Sequence, residues 1–238
     1  MPQPDPKAPG LLPGLGVAAG LVAYGNLTTL FMAPPASDAA NLALLVLTVA
    51  MARTRHMDIG LTTRGCWRAL VAGVGTGAVL AAPALLFFAF PLILPGPVQY
   101  PRLAGLSEAD LAYLLLVRLL LGTAALEETA FRGLLQSTLI ASTGRTRGVI
   151  LTTVAFALWH IVVLYLTVGQ TNVATGILPS WTLFLLGFLP LGAAGLVWSY
   201  LRLRTGSLIA PIANHWTVVG LMDLALYLQP RLGAVSGF

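Results

Sequence analysis

Charge is what this sequence has least of. Only 9% of its 238 residues are Asp, Glu, Lys or Arg, where soluble domains carry about 25%. The chain is 57% hydrophobic with a mean hydropathy of +0.86, so too few polar residues remain to cover a water-facing surface. A soluble domain is excluded, and an integral, multi-span membrane protein is expected. Cysteine is nearly absent too. Cys66 stands alone, which rules out an intramolecular disulfide and a thiolate metal cage. Beside Arg64 and Trp67 it reads as an inert interfacial residue. Lysine occurs once, as Lys7, against twelve arginines. That bias suits a GC-rich coding genome. The net charge of +5 comes from basic residues scattered between apolar runs. They read as topology signals rather than as a nucleic-acid surface.

What is present is a series of long apolar runs: about Leu11–Met32, Ala39–Ala52, Ala69–Leu94, Leu111–Ile140, Val149–Val168, Trp181–Leu201 and Leu208–Leu228. About 20 apolar residues cross a bilayer, so an all-α, polytopic transmembrane bundle of about seven spans is expected. The first run is long for a signal-peptide core and is read as a span. Pro34-Pro35 ends it; Pro91, Pro95 and Pro97 end the third. Ser107 with Asp110 forms a capping box that opens the fourth helix, Gly144 closes that helix, and Gly206 precedes the last. With the N-terminus inside, the inner segments hold Lys7, Arg53, Arg55, Arg64, Arg68, Arg145, Arg147, Arg202 and Arg204, nine in all, against Arg102 and Arg231 outside. This asymmetry implies a cytoplasmic N-terminus.

The few ionisable residues inside the runs carry the functional argument. Glu127 and Glu128 are adjacent in the fourth run, with Arg132 one turn on. Intramembrane acids are costly and mark functional sites by default. His160 and His215 lie in the fifth and seventh runs, whereas His56 falls in a basic loop and reads as solvated. A rise of about 1.5 Å per residue puts Glu127 about 22 Å, His160 about 21 Å and His215 about 14 Å from the inner ends of their helices. Three ionisable side chains from three helices can therefore reach one layer. Taken singly, a histidine on an apolar helix is more often a hydrogen-bonded packing residue; the conjunction with the acids points to chemistry. Arg118 and Asp223 are the other charged residues of these helices.

Neighbouring helical positions diverge by about 100°, while i and i+4 share a face. Glu128 therefore pairs with Arg132, and Glu127 is left without a counter-ion on its own helix. Glu127 is expected to be the chemical carboxylate and to face His160 and His215; Glu128 supports it. Phe156 shares a face with His160 and can pack beneath its ring, or be plain core. Asn214 or an imidazole N–H can stabilise an oxyanion.

Glu-Glu-x-x-x-Arg on one helix, Phe-x-x-x-His on the next and a late histidine resemble the CPBP family. This is the CAAX-protease and bacteriocin-processing group of intramembrane endopeptidases, related to the Ras-converting prenyl-protein protease. Arg132-Gly133-Leu134-Leu135-Gln136 and Thr205-Gly206-Ser207-Leu208 extend the likeness, which covers about residues 107–225. Residues 1–106 are then N-terminal spans for packing or access, and 107–238 the catalytic core. The resemblance implies an active site in a cytoplasm-open intramembrane cavity, and peptide-bond hydrolysis of a peptide or protein substrate, lipidated or membrane-embedded. It implies that Glu127 and His160 activate water while His215 helps stabilise the oxyanion. The family's third motif usually has Asn or Asp four residues after the histidine, where this chain has Val219. Another donor, a lower activity, or a non-catalytic immunity or scaffold relative all fit that departure. A transporter with intramembrane acids is a further alternative, though no inverted repeat is visible. Glu127, His160 and His215 also match a two-histidine, one-carboxylate zinc set. Without a HExxH helix to preorganise it, the reading favoured is no metal and no other cofactor.

Overall fold

The computed structural model describes residues 10–90, 97–175 and 180–236. Pro91, Pro95 and the expected end of the third run at Leu94 lie outside them, as does Lys7. Among the described residues the chain is helical throughout, with no strand. Its helices are α1 (Leu11–Phe31), α2 (Ala36–Thr54), α3 (Cys66–Ala89), α4 (Glu108–Thr143), α5 (Arg145–Trp159), α6 (Ile161–Gly169), α7 (Ser180–Thr205) and α8 (Ile209–Ser236). Single turns at Pro101–Ala104 and Asn172–Thr175 lie in the connections. Six helices are long and apolar enough to cross a membrane, and seven spans result if the bent pair α5–α6 is one. The protein is an all-α polytopic bundle, as composition demands.

The local signals act where they were expected. Ser107 Oγ accepts the Asp110 N–H at 3.1 Å and opens α4. Gly144 (φ 84°) ends it in a conformation open to glycine. Two features exceed the pattern. The α4 helix is π-helical over Leu114–Ala125 and Thr129–Leu135, and Leu126–Glu128 is the short α-helical stretch between them. Such irregularities concentrate at functional sites. The fifth apolar run is not one straight helix either: α5 and α6 meet at a 41° bend whose pivot is His160.

The N-terminal helices are interlocked with the rest. α3 lies along α8 through Gly73 and Gly77. A Cβ on Gly73 would run into the Ala210 carbonyl, and one on Gly77 would come to 2.9 Å from the Asn214 carbonyl oxygen. Apolar surface alone does not drive helices together in lipid, so close backbone approach at small residues is the expected glue. α1 packs on α4 and α5 in the same way, with Gly14 against Leu139 and Gly25 under the Trp159 indole. The core they enclose is aromatic where it meets the acids: Phe131, Phe156, Trp159 and Trp198. Within the α2–α3 turn, the Gly60 carbonyl accepts the Leu208 N–H at 2.9 Å and the Asp58 carbonyl accepts Ser137 Oγ at 3.2 Å. The turn carries Ile59 onto Gly133 of α4.

Candidate active site

The two glutamates face different histidines. Glu127 Oε2 lies 3.3 Å from His160 Nε2. Glu128 Oε1 lies 2.9 Å from His215 Nδ1 and 3.2 Å from Arg132 Nη1. The expected i, i+4 pair of Glu128 with Arg132 is therefore present. Of the two histidines that Glu127 was expected to face, His160 is the one in direct contact with it, and His215 bonds Glu128. The reason is the divergence of adjacent helical side chains: two neighbouring acids reach two different helices.

His160 is held from both sides. Its Nδ1 lies 2.9 Å from the Phe156 carbonyl oxygen. A carbonyl only accepts, so Nδ1 carries the hydrogen and Nε2 is turned to Glu127. The Phe156 ring packs against the imidazole with centroids 4.4 Å apart. His215 is clamped differently. The Trp198 indole stacks on it at 4.2 Å and 12°, and its Nδ1 donates to the Glu128 carboxylate. Arg132 is wholly buried; its guanidinium lies 4.1 Å over Phe156 and 5.0 Å from the Trp198 ring centroid, and Nη2 donates to the Gly195 carbonyl at 3.2 Å. Cation–π contact and charge-assisted hydrogen bonds offset much of the cost of burying this charge. Glu128 Oε2 is buried with no hydrogen-bond partner, and Glu127 Oε2 is buried with none besides its contact to His160 Nε2.

Asn214 takes no part in this cluster. Its Oδ1 accepts the Trp198 indole N–H at 2.7 Å and its Nδ2 donates to Thr76 Oγ1 at 2.7 Å. The amide oxygen fixes the ring that stacks on His215, and one Nδ2 hydrogen ties Asn214 to α3. Val219 is half-buried on α8. Arg118 pairs with Asp38 of α2 at 2.9 Å, away from the glutamates, and Asp223 feels the Arg102 charge. Cys66 and His56 are exposed, as expected.

The cavity implied by the resemblance is not open at these side chains. Side-chain exposure is 14% for His160, 8% for Glu127 and nil for Glu128. His160 is the most accessible member. A cavity of about 290 Å³ does occur, but between the end of α6 and α7, lined by Tyr165, Gly169 and Phe184. Among the described residues no three His, Cys, Asp or Glu side chains are grouped to hold a metal ion.

Sequence reasoning missed Trp198, Gly195 and the α1 residues beside His160. Each is an ordinary member of an apolar helix, and only the packing of that helix reveals what it touches. Residues 109–221 match the family described as "Rce1-like: Type II CAAX prenyl endopeptidase Rce1-like". No curated protein and no solved structure matches the chain. Over residues 109–221 this integral membrane protein is similar to the Rce1-like type II CAAX prenyl endopeptidases, a likeness that at family level implies a hydrolase acting on a peptide or protein substrate.

Proposed function

We propose that the protein is an intramembrane endopeptidase in which Glu127 and His160 together activate water. The observation that carries this reading is the 3.3 Å contact of Glu127 Oε2 with His160 Nε2, combined with the Phe156 carbonyl that fixes the tautomer. With Nδ1–H committed to Phe156, Nε2 and Oε2 attract each other only when one proton lies between them. The proton-poor form of such a pair takes a proton from water as the oxygen attacks the peptide carbonyl. It then returns that proton to the leaving nitrogen, so one proton enters and one leaves. Glu128 is a positioning residue: held by Arg132, it accepts the His215 Nδ1 hydrogen and leaves His215 Nε2 free. As an imidazolium, His215 donates Nε2–H to the oxyanion, the role that an amide at position 219 would otherwise share.

The substrate we propose is a peptide or protein segment that reaches the bilayer, lipidated or membrane-embedded, in a prokaryotic cell membrane with the protein's N-terminus cytoplasmic. Residues 107–238 carry the chemistry and residues 1–106 shape access. No metal is needed for these steps. The test uses the full chain in detergent with a farnesylated C-terminal peptide and its unlipidated counterpart. Glu127→Gln is expected to lower cleavage by about 10²–10⁴-fold without loss of folding. Cleavage at the wild-type rate by Glu127→Gln would refute the assignment. Stoichiometric zinc required for activity would overturn the metal-free part.

A further inference from the structure

The bend at His160 has a specific cause in α1. In a continuous helix the Val162 N–H would bond the Leu158 carbonyl, four residues back. Here neither group bonds the other. Val162 N–H donates to Asn26 Oδ1 at 3.1 Å, and Asn26 Nδ2 donates to the Leu158 carbonyl at 3.0 Å. The side-chain amide is thus inserted into one helical hydrogen bond, which is a recognised origin of a sharp kink. The second Nδ2 hydrogen goes to the Val22 carbonyl at 2.8 Å, so the amide is fully used. In lipid this matters, because a broken helix persists only where another group satisfies its freed backbone.

The neighbours of Asn26 fit the same purpose. Gly25 lets the Trp159 indole sit where a Cβ would collide, and Tyr24 stacks on that indole with centroids 5.7 Å apart. Tyr24-Gly25-Asn26 is therefore a cradle for Trp159-His160, built from a helix outside the family-matched segment. At the pivot, His160 has φ −95° and ψ 1°, outside the helical basin, and this turn aims Nε2 at Glu127.

We infer that Asn26 is a positioning residue for His160: by splitting the Leu158–Val162 hydrogen bond it sets the bend that brings the imidazole onto Glu127. The inference rests on the catalytic reading of His160 only for its effect on rate; the geometric effect stands alone. Asn26→Leu has similar bulk and no hydrogen-bonding group. It lets Val162 N–H return to the Leu158 carbonyl, straightens the helix and draws His160 off Glu127. Two measurements on the full chain in detergent test this. The first is the ¹⁵N signal of the His160 ring, assigned with His160→Gln. It is expected to move in Asn26→Leu as it does in Glu127→Gln, with the melting temperature retained. The second is peptide cleavage, with kcat expected to fall about 100-fold, the cost of a misplacement of about 1 Å, and KM little changed. Asn26→Asp keeps the acceptor and loses the donor, so it should show smaller changes in the same direction; it decides the matter if Asn26→Leu does not fold. A lowered melting temperature with an unmoved ring signal and kcat within twofold of wild type would mean simple helix glue and overturn the inference. If Glu127→Gln cleaves normally, the catalytic reading fails, while the ring signal still decides the role of Asn26.

Discussion

Arg132 offers the sharpest test of how the site is held together. It is fully buried, as is its partner Glu128. Removing one member of a buried ion pair strands the other, at a cost of about 3–5 kcal/mol. Arg132→Met fills similar space between the Phe156 and Trp198 rings but removes the charge and the bond to the Gly195 carbonyl. Glu128 keeps one partner, since His215 Nδ1 still donates to Oε1 at 2.9 Å. The loss should therefore fall at the lower end, about 3 kcal/mol. Replacing both charges relieves the stranded acid, so Glu128→Gln combined with Arg132→Met should be more stable than Arg132→Met alone. Unfolding in detergent micelles with increasing SDS, read by tryptophan fluorescence, measures both. A cost below about 1 kcal/mol for Arg132→Met, the range of an exposed pair, would show that the guanidinium is solvated and the buried cluster misdescribed.

Three further outcomes follow from the packing. Trp198→Phe keeps a ring over His215 but leaves Asn214 Oδ1 without its donor, costing about 1–3 kcal/mol, whereas Trp198→Ala removes the stacking platform as well and should cost about 3–5 kcal/mol; SDS unfolding ranks the two, a Trp198→Phe variant as stable as wild type would refute the hydrogen-bond argument, and equal costs would refute the stacking argument. Gly73→Leu has no room against the Ala210 backbone and should abolish recovery of monodisperse protein, while Leu at Gly75, which faces open space, should be tolerated. Asp38→Asn removes the partner of Arg118 across α2 and α4; because both side chains are partly exposed, the loss should be only about 1 kcal/mol, and a larger one would mean that this pair sits in drier surroundings than its exposure indicates.

The sequence makes the spans legible because hydropathy alone decides what can enter a bilayer, and no strand or loop competes with helix there. The acids and histidines were legible for the same reason: they are too costly in lipid to be incidental. Their pairing was legible only within one helix. The i, i+4 rule gives Glu128–Arg132, but which histidine meets which acid depends on how α5 and α8 approach α4, and no local rule encodes that approach. It is set by contacts such as Gly73 on Ala210 and Gly25 under Trp159, between residues that look interchangeable in an apolar run. The bend at His160 is the clearest case. Phe156 to Trp159 reads as unbroken helix, with neither proline nor glycine to break it, and the group that breaks it lies 134 positions earlier, in Asn26. A polar side chain in one span can thus set the backbone of another, because in lipid the freed N–H and C=O have few other partners. The N-terminal spans, which show no catalytic group in sequence, thus reach the helix that carries His160, with Asn26 of α1 bonding both the Val162 N–H and the Leu158 carbonyl.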